Sequence, residues 1–197
     1  MPNIALFDFD GTITDKDMFT PFLKYGATKK RKTIGNIIIL PFYLLFKLGL
    51  LPSYIMRPIA SFVAFKFRSQ KEVEALGREY AKQVIPSRVM ERAKKQLEWH
   101  KESGDVIVVV SASLDVYLKP WCDANGFQLL CSELDMQKGR CTGRYIQGDC
   151  SREKKAARVK QSYQLNQFEC IYAYGDTSED KELLKLADEA YLNWNKV

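Results

Sequence analysis

Histidine is almost absent from this chain: the one copy in 197 residues is His100. Its setting in EWHKESG, late in a helical stretch, predicts a surface or helix-end role and no part in catalysis. The five cysteines, Cys122, Cys131, Cys141, Cys150 and Cys170, are odd in number and contain no C-x-x-C pair. That spacing excludes a close-paired zinc site and a short disulfide scaffold, and they read as reduced thiols of a cytoplasmic protein. No uninterrupted membrane-length apolar run is present. Residues 34–51, IGNIIILPFYLLFKLGLL, come nearest, but Asn36, Pro41, Lys47 and two glycines break them up, where a spanning helix usually needs roughly 20 apolar residues. The opening MPNIALFDFD has no basic leader and is interrupted by acids, so no signal peptide is expected. Internal repeats and low-complexity segments are lacking too. A composition of 46% hydrophobic and 27% charged residues excludes a disordered or fibrous protein. The length accommodates one substantial core with a small second domain.

What is present is an alternation. Residues 3–7 and the β-branched run DVIVVV, with Val106–Val110 unbroken, read as strands buried on both faces, as in a parallel sheet. Further strands are expected at 127–131, 170–176 and 189–193, separated by helices near 87–102, 114–124, 152–164 and 178–187. The glycine-punctuated stretch 132–149 reads as a β-hairpin. This pattern predicts a doubly wound, Rossmann-like α/β sheet. Residues 15–85 interrupt it with helical segments only, near 16–25, 34–48, 53–67 and 70–84. They are expected to form an inserted helical cap domain on a core of residues 1–14 and 86–197. The charge is split between the two. Residues 14–85 carry 13 Lys and Arg against 5 Asp and Glu, a net +8, which leaves −2 for the rest of a +6 chain. A basic cap suits an anionic substrate or a membrane surface, or is simply a lysine-rich helical face.

The first strand runs into FDFDGT, two aspartates two positions apart before a Gly-Thr turn. Carboxylates are costly to bury without a cation or hydrogen bonds. In open α/β sheets ligands bind at the carboxyl ends of the strands. Those ends here carry Asp8 and Asp10, then Ser111 after VIVVV, then GDTSED with Asp176 and Asp180. Several carboxylates together suit a hard divalent cation such as Mg²⁺.

These residues resemble the haloacid dehalogenase-like phosphatases. FDFDGT is similar to the D-x-D-G-T signature, Ser111 to the second motif, a lysine of SREKKAAR to the third, and GDTSED to the fourth. The four run from residue 8 to residue 180 in order. The helical insertion between the first two motifs looks like the subgroup containing phosphoserine phosphatase. The long apolar cap is also similar to that of the phosphatidylglycerophosphate phosphatase of the superfamily. The resemblance implies a Mg²⁺-dependent phosphomonoester hydrolase with Asp8 as nucleophile, forming an aspartyl-phosphate, and Asp10 as general acid and then base. It implies metal ligation by Asp8, the Asp10 carbonyl and Asp176, with Asp180 and Thr177 in support, and phosphate contacts from Gly11, Thr12, Ser111 and the lysine. Both Lys154 and Lys155 are candidates. Lys155 is preferred because it adjoins the apolar stripe of Ala156, Val159 and Tyr163. Asp17 and Arg57 are candidate substrate contacts on the cap. Asp17 stands where phosphoserine phosphatases carry a glutamate, and Ala112-Ser113 where they carry Gly-Gly, so phosphoserine itself is not the expected substrate. A small phosphomonoester and a lipid phosphate both remain open, the second with peripheral membrane contact through IIILPFYLLF; that segment could equally pack the cap against itself. No obligate protein partner and no nucleic acid is implied. The alternatives are a phosphotransferase, or a phosphate- or nucleic-acid-binding module without turnover, for which the cluster KKRK at 29–32 is the one cue.

Overall fold

The computed structural model describes residues 2–197. At its centre, β1 (Ile4–Phe7) has every side chain buried. It pairs in parallel with β2 (Val106–Leu114) on one side and β6 (Ile171–Gly175) on the other, with Phe7 level with Val109 and Tyr174. β3 (Gln128–Ser132) and β7 (Glu189–Leu192) extend the parallel sheet, and the short β8 (Asn195–Lys196) returns antiparallel, giving the order β3-β2-β1-β6-β7-β8. The chain leaves β1 towards β2 on one side and later reaches β6 on the other. The loops after these three strands therefore share the switch point of the sheet, where such folds open a crevice.

Alternation along β1 sends side chains to opposite faces. Ala5 and Phe7 join one buried cluster with residues of the helices α5 (Glu91–Glu102) and α6 (Asp115–Asn125). Ile4 and Leu6 join a second with Val159 of α7 (Glu153–Ser162) and Leu183 of α8 (Lys181–Leu184). This is the doubly wound Rossmann-like sheet that the strand–helix alternation implies. The last helix is shorter than its sequence pattern predicts, because residues 178–180 form a 3-10 turn before it.

Four helices lie between β1 and α5: α1 (Phe19–Lys24), α2 (Lys29–Lys47), α3 (Ser53–Phe65) and α4 (Gln70–Gln83). Three of them contribute to a ring cluster: Phe22 lies 5.6 Å from Phe65, 5.1 Å from Tyr80 and 4.7 Å from Tyr117 of α6. The hairpin of β4 (Leu134–Gln137) and β5 (Arg140–Tyr145) packs against α3.

α2 is different. None of its side chains is fully buried: Ile39 packs against the core cluster, but most of the apolar run stays exposed. Pro41 sits inside it, and no described helix is long and apolar enough to cross a membrane.

His100 departs from the surface role its sequence setting suggests. It is fully buried, its Nδ1 2.7 Å from Asp105 and its Nε2 3.0 Å from the Tyr174 hydroxyl, and burial pushes its pKa down. The imidazole thereby supplies partners to two buried polar groups under β1 and β6.

α4 crosses α6 at Gly77, where a Cβ would lie 1.9 Å from the Val116 carbonyl oxygen. Alanine in a helix ordinarily gains about 1 kcal/mol over glycine. Here the helices would have to separate, and overpacking of this kind costs about 1–3 kcal/mol. Gly77→Ala is therefore expected to lower the urea midpoint. An unchanged or raised midpoint would show that the contact is not tight.

Candidate active site

Asp8 follows β1 directly, and its N–H donates to the Tyr174 carbonyl at 2.9 Å, so it stays in register with the sheet. The chain then turns, with the amides of Ile13 and Thr14 both donating to the Phe9 carbonyl at 2.9 Å. Gly11 makes this turn possible. Its φ of +87° lies in the region that favours glycine, and a Cβ there would sit 2.1 Å from an Asp176 carboxylate oxygen. The loops after β1 and β6 can approach closely only because that position has no side chain.

The Asp8 carboxylate is buried and held from two sides. Thr12 donates its hydroxyl to Oδ2 at 3.1 Å, and Lys155 Nζ donates to Oδ1 at 2.5 Å. Lys155 also donates to Asp180 Oδ1 at 2.6 Å, while the other oxygen of Asp180 accepts the amides of Asp176 and Thr177 at 3.1 Å. Lys155 is buried and Lys154 is exposed, which is the order the apolar stripe on α7 implies. Thr177 also caps the 3-10 turn, its hydroxyl oxygen accepting the Glu179 amide.

Asp10 points elsewhere. Its Oδ1 accepts the Met18 amide at 2.6 Å and its Oδ2 accepts the Ser113 hydroxyl. Ser111 is fully buried, and its hydroxyl oxygen accepts the Ser113 amide at 3.0 Å. Ser113, not Ser111, thus lines the cavity above the acids. The cap-side candidates Asp17 and Arg57 both border that cavity, but both are already engaged. Asp17 accepts the amides of Phe19 and Thr20 at the start of α1. Arg57 on α3 grips Asp149 with two hydrogen bonds, at 2.8 and 3.0 Å, and reaches Glu179 at 3.0 Å; Ser53 donates to Glu179 as well. Sequence reasoning missed Asp149 and Glu179. Glu179 lies inside GDTSED and could have been noticed; nothing local marks Asp149.

The cavity measures about 850 Å³. Its floor holds Asp8, Asp10, Ser113, Lys155 and Asp176, and its walls come from α1, α2 and α3, including Leu23, Ile39 and Tyr43. Burial pushes Asp8 up to about 6, with Asp180 adding to the rise and Lys155 opposing it. Burial and then the neighbouring Asp8 push Asp10 up to about 7. Asp176 rises to about 7 through burial, Asp8 and Asp180. Asp180 is the exception: burial would raise it, but Lys155 and the two amides hold it below the usual range. Burial would lower Lys155, yet Asp8 and Asp180 together raise it. One buried lysine does not balance the acids around it.

Carboxylate oxygens of Asp8, Asp176 and Asp180 all lie within 4.8 Å of one another. An oxygen-only, anionic donor set with excess negative charge fits a hard divalent cation. The Asp10 carboxylate is not in that trio.

Comparison with known proteins agrees with this geometry. The family model for haloacid dehalogenase-like hydrolases matches residues 5–185. The chain belongs to that family. It is 29% identical over 198 residues to Protein CicA of Caulobacter vibrioides, covering 95% of this chain and 84% of that protein. It is 26% identical over 205 residues to the histidinol-phosphatase of Neisseria meningitidis serogroup C, covering 96% and 89%. Among solved structures, a protein of unknown function from Bordetella pertussis Tohama I superposes with a TM-score of 0.80 at 22% identity, covering 98% of this chain and 90% of that one. A substrate-bound phosphoserine phosphatase does so with a TM-score of 0.67 at 17% identity, covering 98% and 86%. At these identities the structural likeness establishes the fold alone.

Two predictions follow from the geometry of this hydrolase site. Lys155→Ala leaves Asp8 and Asp180 buried without their cation, and breaking such a pair costs about 3–5 kcal/mol; Lys154→Ala should stay within about 0.5 kcal/mol of wild type. Urea titration of both variants separates the two lysines, and equal losses would refute the assignment. The second concerns linkage. A carboxyl whose folded pKa is about 7, against 3.8 unfolded, favours the folded state at low pH and loses that contribution as pH rises through 7. Asp10→Asn should therefore stabilise the metal-free protein at pH 8 by on the order of 1–3 kcal/mol, with the advantage fading towards pH 4. A variant no more stable than wild type at pH 8 would show that the Asp10 charge is not penalised.

Proposed function

We propose that this hydrolase is a Mg²⁺-dependent phosphomonoesterase working through an aspartyl-phosphate on Asp8, with residues 15–85 as the cap that selects the substrate. The observation that carries the reading is the pairing of two dissimilar carboxylates at one cavity floor. Asp8 is cationically paired through Lys155, while Asp10 is turned to the Met18 amide and Ser113 and pushed by burial up to about 7.

An oxygen of Asp8 attacks the phosphorus and the ester oxygen departs with its electron pair. Asp10 delivers its proton to that leaving oxygen, so the alcohol leaves neutral. Asp10, now ionised, takes a proton from a water that attacks the phosphorus of the aspartyl-phosphate. Inorganic phosphate leaves and Asp8 is regenerated. Thr12 and Lys155 hold the Asp8 carboxylate in one orientation, and Ser113 and the Met18 amide hold that of Asp10. In this scheme Gly11, Thr12 and Lys155 face the phosphoryl oxygens, and Ser111, buried beneath the cavity, orients the Ser113 amide. Mg²⁺, held by Asp8, Asp176 and the Asp10 carbonyl with Asp180 in support, would supply the charge that lets an anionic nucleophile meet an anionic ester.

The substrate is a small phosphomonoester or the phosphate end of a lipid. The name of the histidinol-phosphatase relative supports the first. The apolar wall of Leu23, Ile39, Tyr43 and Ala60 supports the second. With Arg57 committed to Asp149 and Glu179, its proposed part in substrate contact becomes one of holding α3 over the site.

The test is phosphate release with and without Mg²⁺, from phosphoserine, histidinol phosphate, sugar phosphates, nucleotides and short-chain phosphatidylglycerophosphate. Turnover should need Mg²⁺ and should fall at least about a thousandfold in Asp8→Asn. Turnover that survives in Asp8→Asn would overturn the covalent route. Phosphate appearing on an added alcohol in place of water would identify a phosphotransferase.

A further inference from the structure

α2 has two apolar faces. One stripe, with Ile39, Tyr43 and Phe46, walls the active-site cavity. The opposite stripe, at helical spacing, carries Ile34, Ile37, Leu44, Leu45 and Leu48, and the chain continues to Leu50. Ile37 is 67% exposed, Leu44 53% and Leu48 72%. A helix that is apolar all round is ordinarily buried, yet no side chain of α2 is. Contiguous exposed apolar surface of this extent marks an interaction site.

Charge says what covers it. No Asp or Glu occurs between Met18 and Lys71, a stretch that holds ten Lys and Arg. Four of these, Lys29, Lys30, Arg31 and Lys32, fill the first turn of α2, with no acid among them. Cations at a helix N-terminus oppose the helix dipole, so this cluster works against the helix and in favour of an anionic neighbour. A second copy of the chain is a poor neighbour, because a two-fold interface joins the same patch to itself and this patch holds no acid to meet the basic turn. Anionic lipid headgroups over acyl chains satisfy both the charges and the apolar stripe.

We infer that the outer face of α2 docks on an anionic bilayer, lying in the interface plane without crossing it. Pro41 and the insufficient apolar length of the helix agree with a surface position. Because the inner stripe of the same helix walls the cavity, docking holds the cavity about one helix diameter from the bilayer surface. The inference rests on the surface of α2 and stands whether or not the cavity hydrolyses phosphate esters.

The experiment is co-sedimentation of the full chain with vesicles of phosphatidylcholine alone and of phosphatidylcholine with phosphatidylglycerol at 7:3, a ratio giving a surface potential on the order of that of anionic membranes. The anionic vesicles should bind at least about tenfold more protein, and the excess should shrink when salt rises from about 0.1 to 0.5 M. Ile37→Glu/Leu44→Glu, both on the solvent face, should abolish binding with an unchanged far-UV circular dichroism spectrum. Lys29→Gln/Lys30→Gln should remove the preference for phosphatidylglycerol. Wild type left in the supernatant, equal binding to both vesicles, or full binding by the glutamate variant would each overturn the inference. A stable dimer that the glutamate substitutions dissociate, with no vesicle binding, would assign the face to a second copy.

Discussion

Carboxylate crowding at the switch point of the sheet is the constraint around which the rest is arranged. Asp8, Asp176 and Asp180 bring oxygens within 4.8 Å of one another, and Lys155 is the cation set among them. Such a cluster persists only if something outside it enforces the geometry. Here that is the parallel ladder, which keeps Asp8 in register with the end of β6 through the Tyr174 carbonyl. The α7 helix drives a lysine between two of the acids, and the amides of Asp176 and Thr177 absorb the charge of Asp180. Asp10 and Asp176, which Lys155 does not bond, and Asp8, whose burial outweighs its bond to Lys155, are the acids whose pKa values rise. In such a site stability is traded for chemistry, as groups with raised or opposed pKa values at one cleft usually signal.

The same acids are coupled to the insertion. Glu179 lies in the turn between Asp176 and Asp180, and Arg57 of α3 reaches across to it and to Asp149. Asp10 in turn anchors the Met18 amide at the head of α1. The helices that wall the cavity are therefore tied to the loops that carry these acids by charged and hydrogen-bonded contacts, and to α6 by the rings of Phe22, Phe65, Tyr80 and Tyr117. Displacement of α3 would be felt at Glu179, one residue from Asp180. Meanwhile α2 contributes to the cavity on one side and to open surface on the other, which makes it the element through which an external phase can meet the site.

Much of the fold was legible along the chain, because each signal is short-range. Val106–Val110 reads as a doubly buried strand, the four helical segments of residues 15–85 carry no strand pattern, and FDFDGT and GDTSED stand at strand ends. The choice of Lys155 over Lys154 followed from helical periodicity alone. The position of Ser113 over Asp10 was less readable, since a serine after a strand can cap a helix or face a cavity with the same sequence. His100 illustrates a different limit. Its helix looks polar, and only the packing of α5 on the sheet brings the ring between Asp105 and Tyr174.

By itself, then, the sequence determined which residues carry charge at the strand ends, the order of strands and helices, and the family to which the chain belongs. These are properties of local pattern and chemical type. The tertiary structure decided the pairings: Arg57 with Asp149 and Glu179, Ser113 with Asp10, the close approach of Gly11 to Asp176, and the exposure of α2 on a face that hydropathy alone would have buried. Each joins residues distant along the chain, and such contacts are set by how helices and sheet pack in space, which no local pattern encodes.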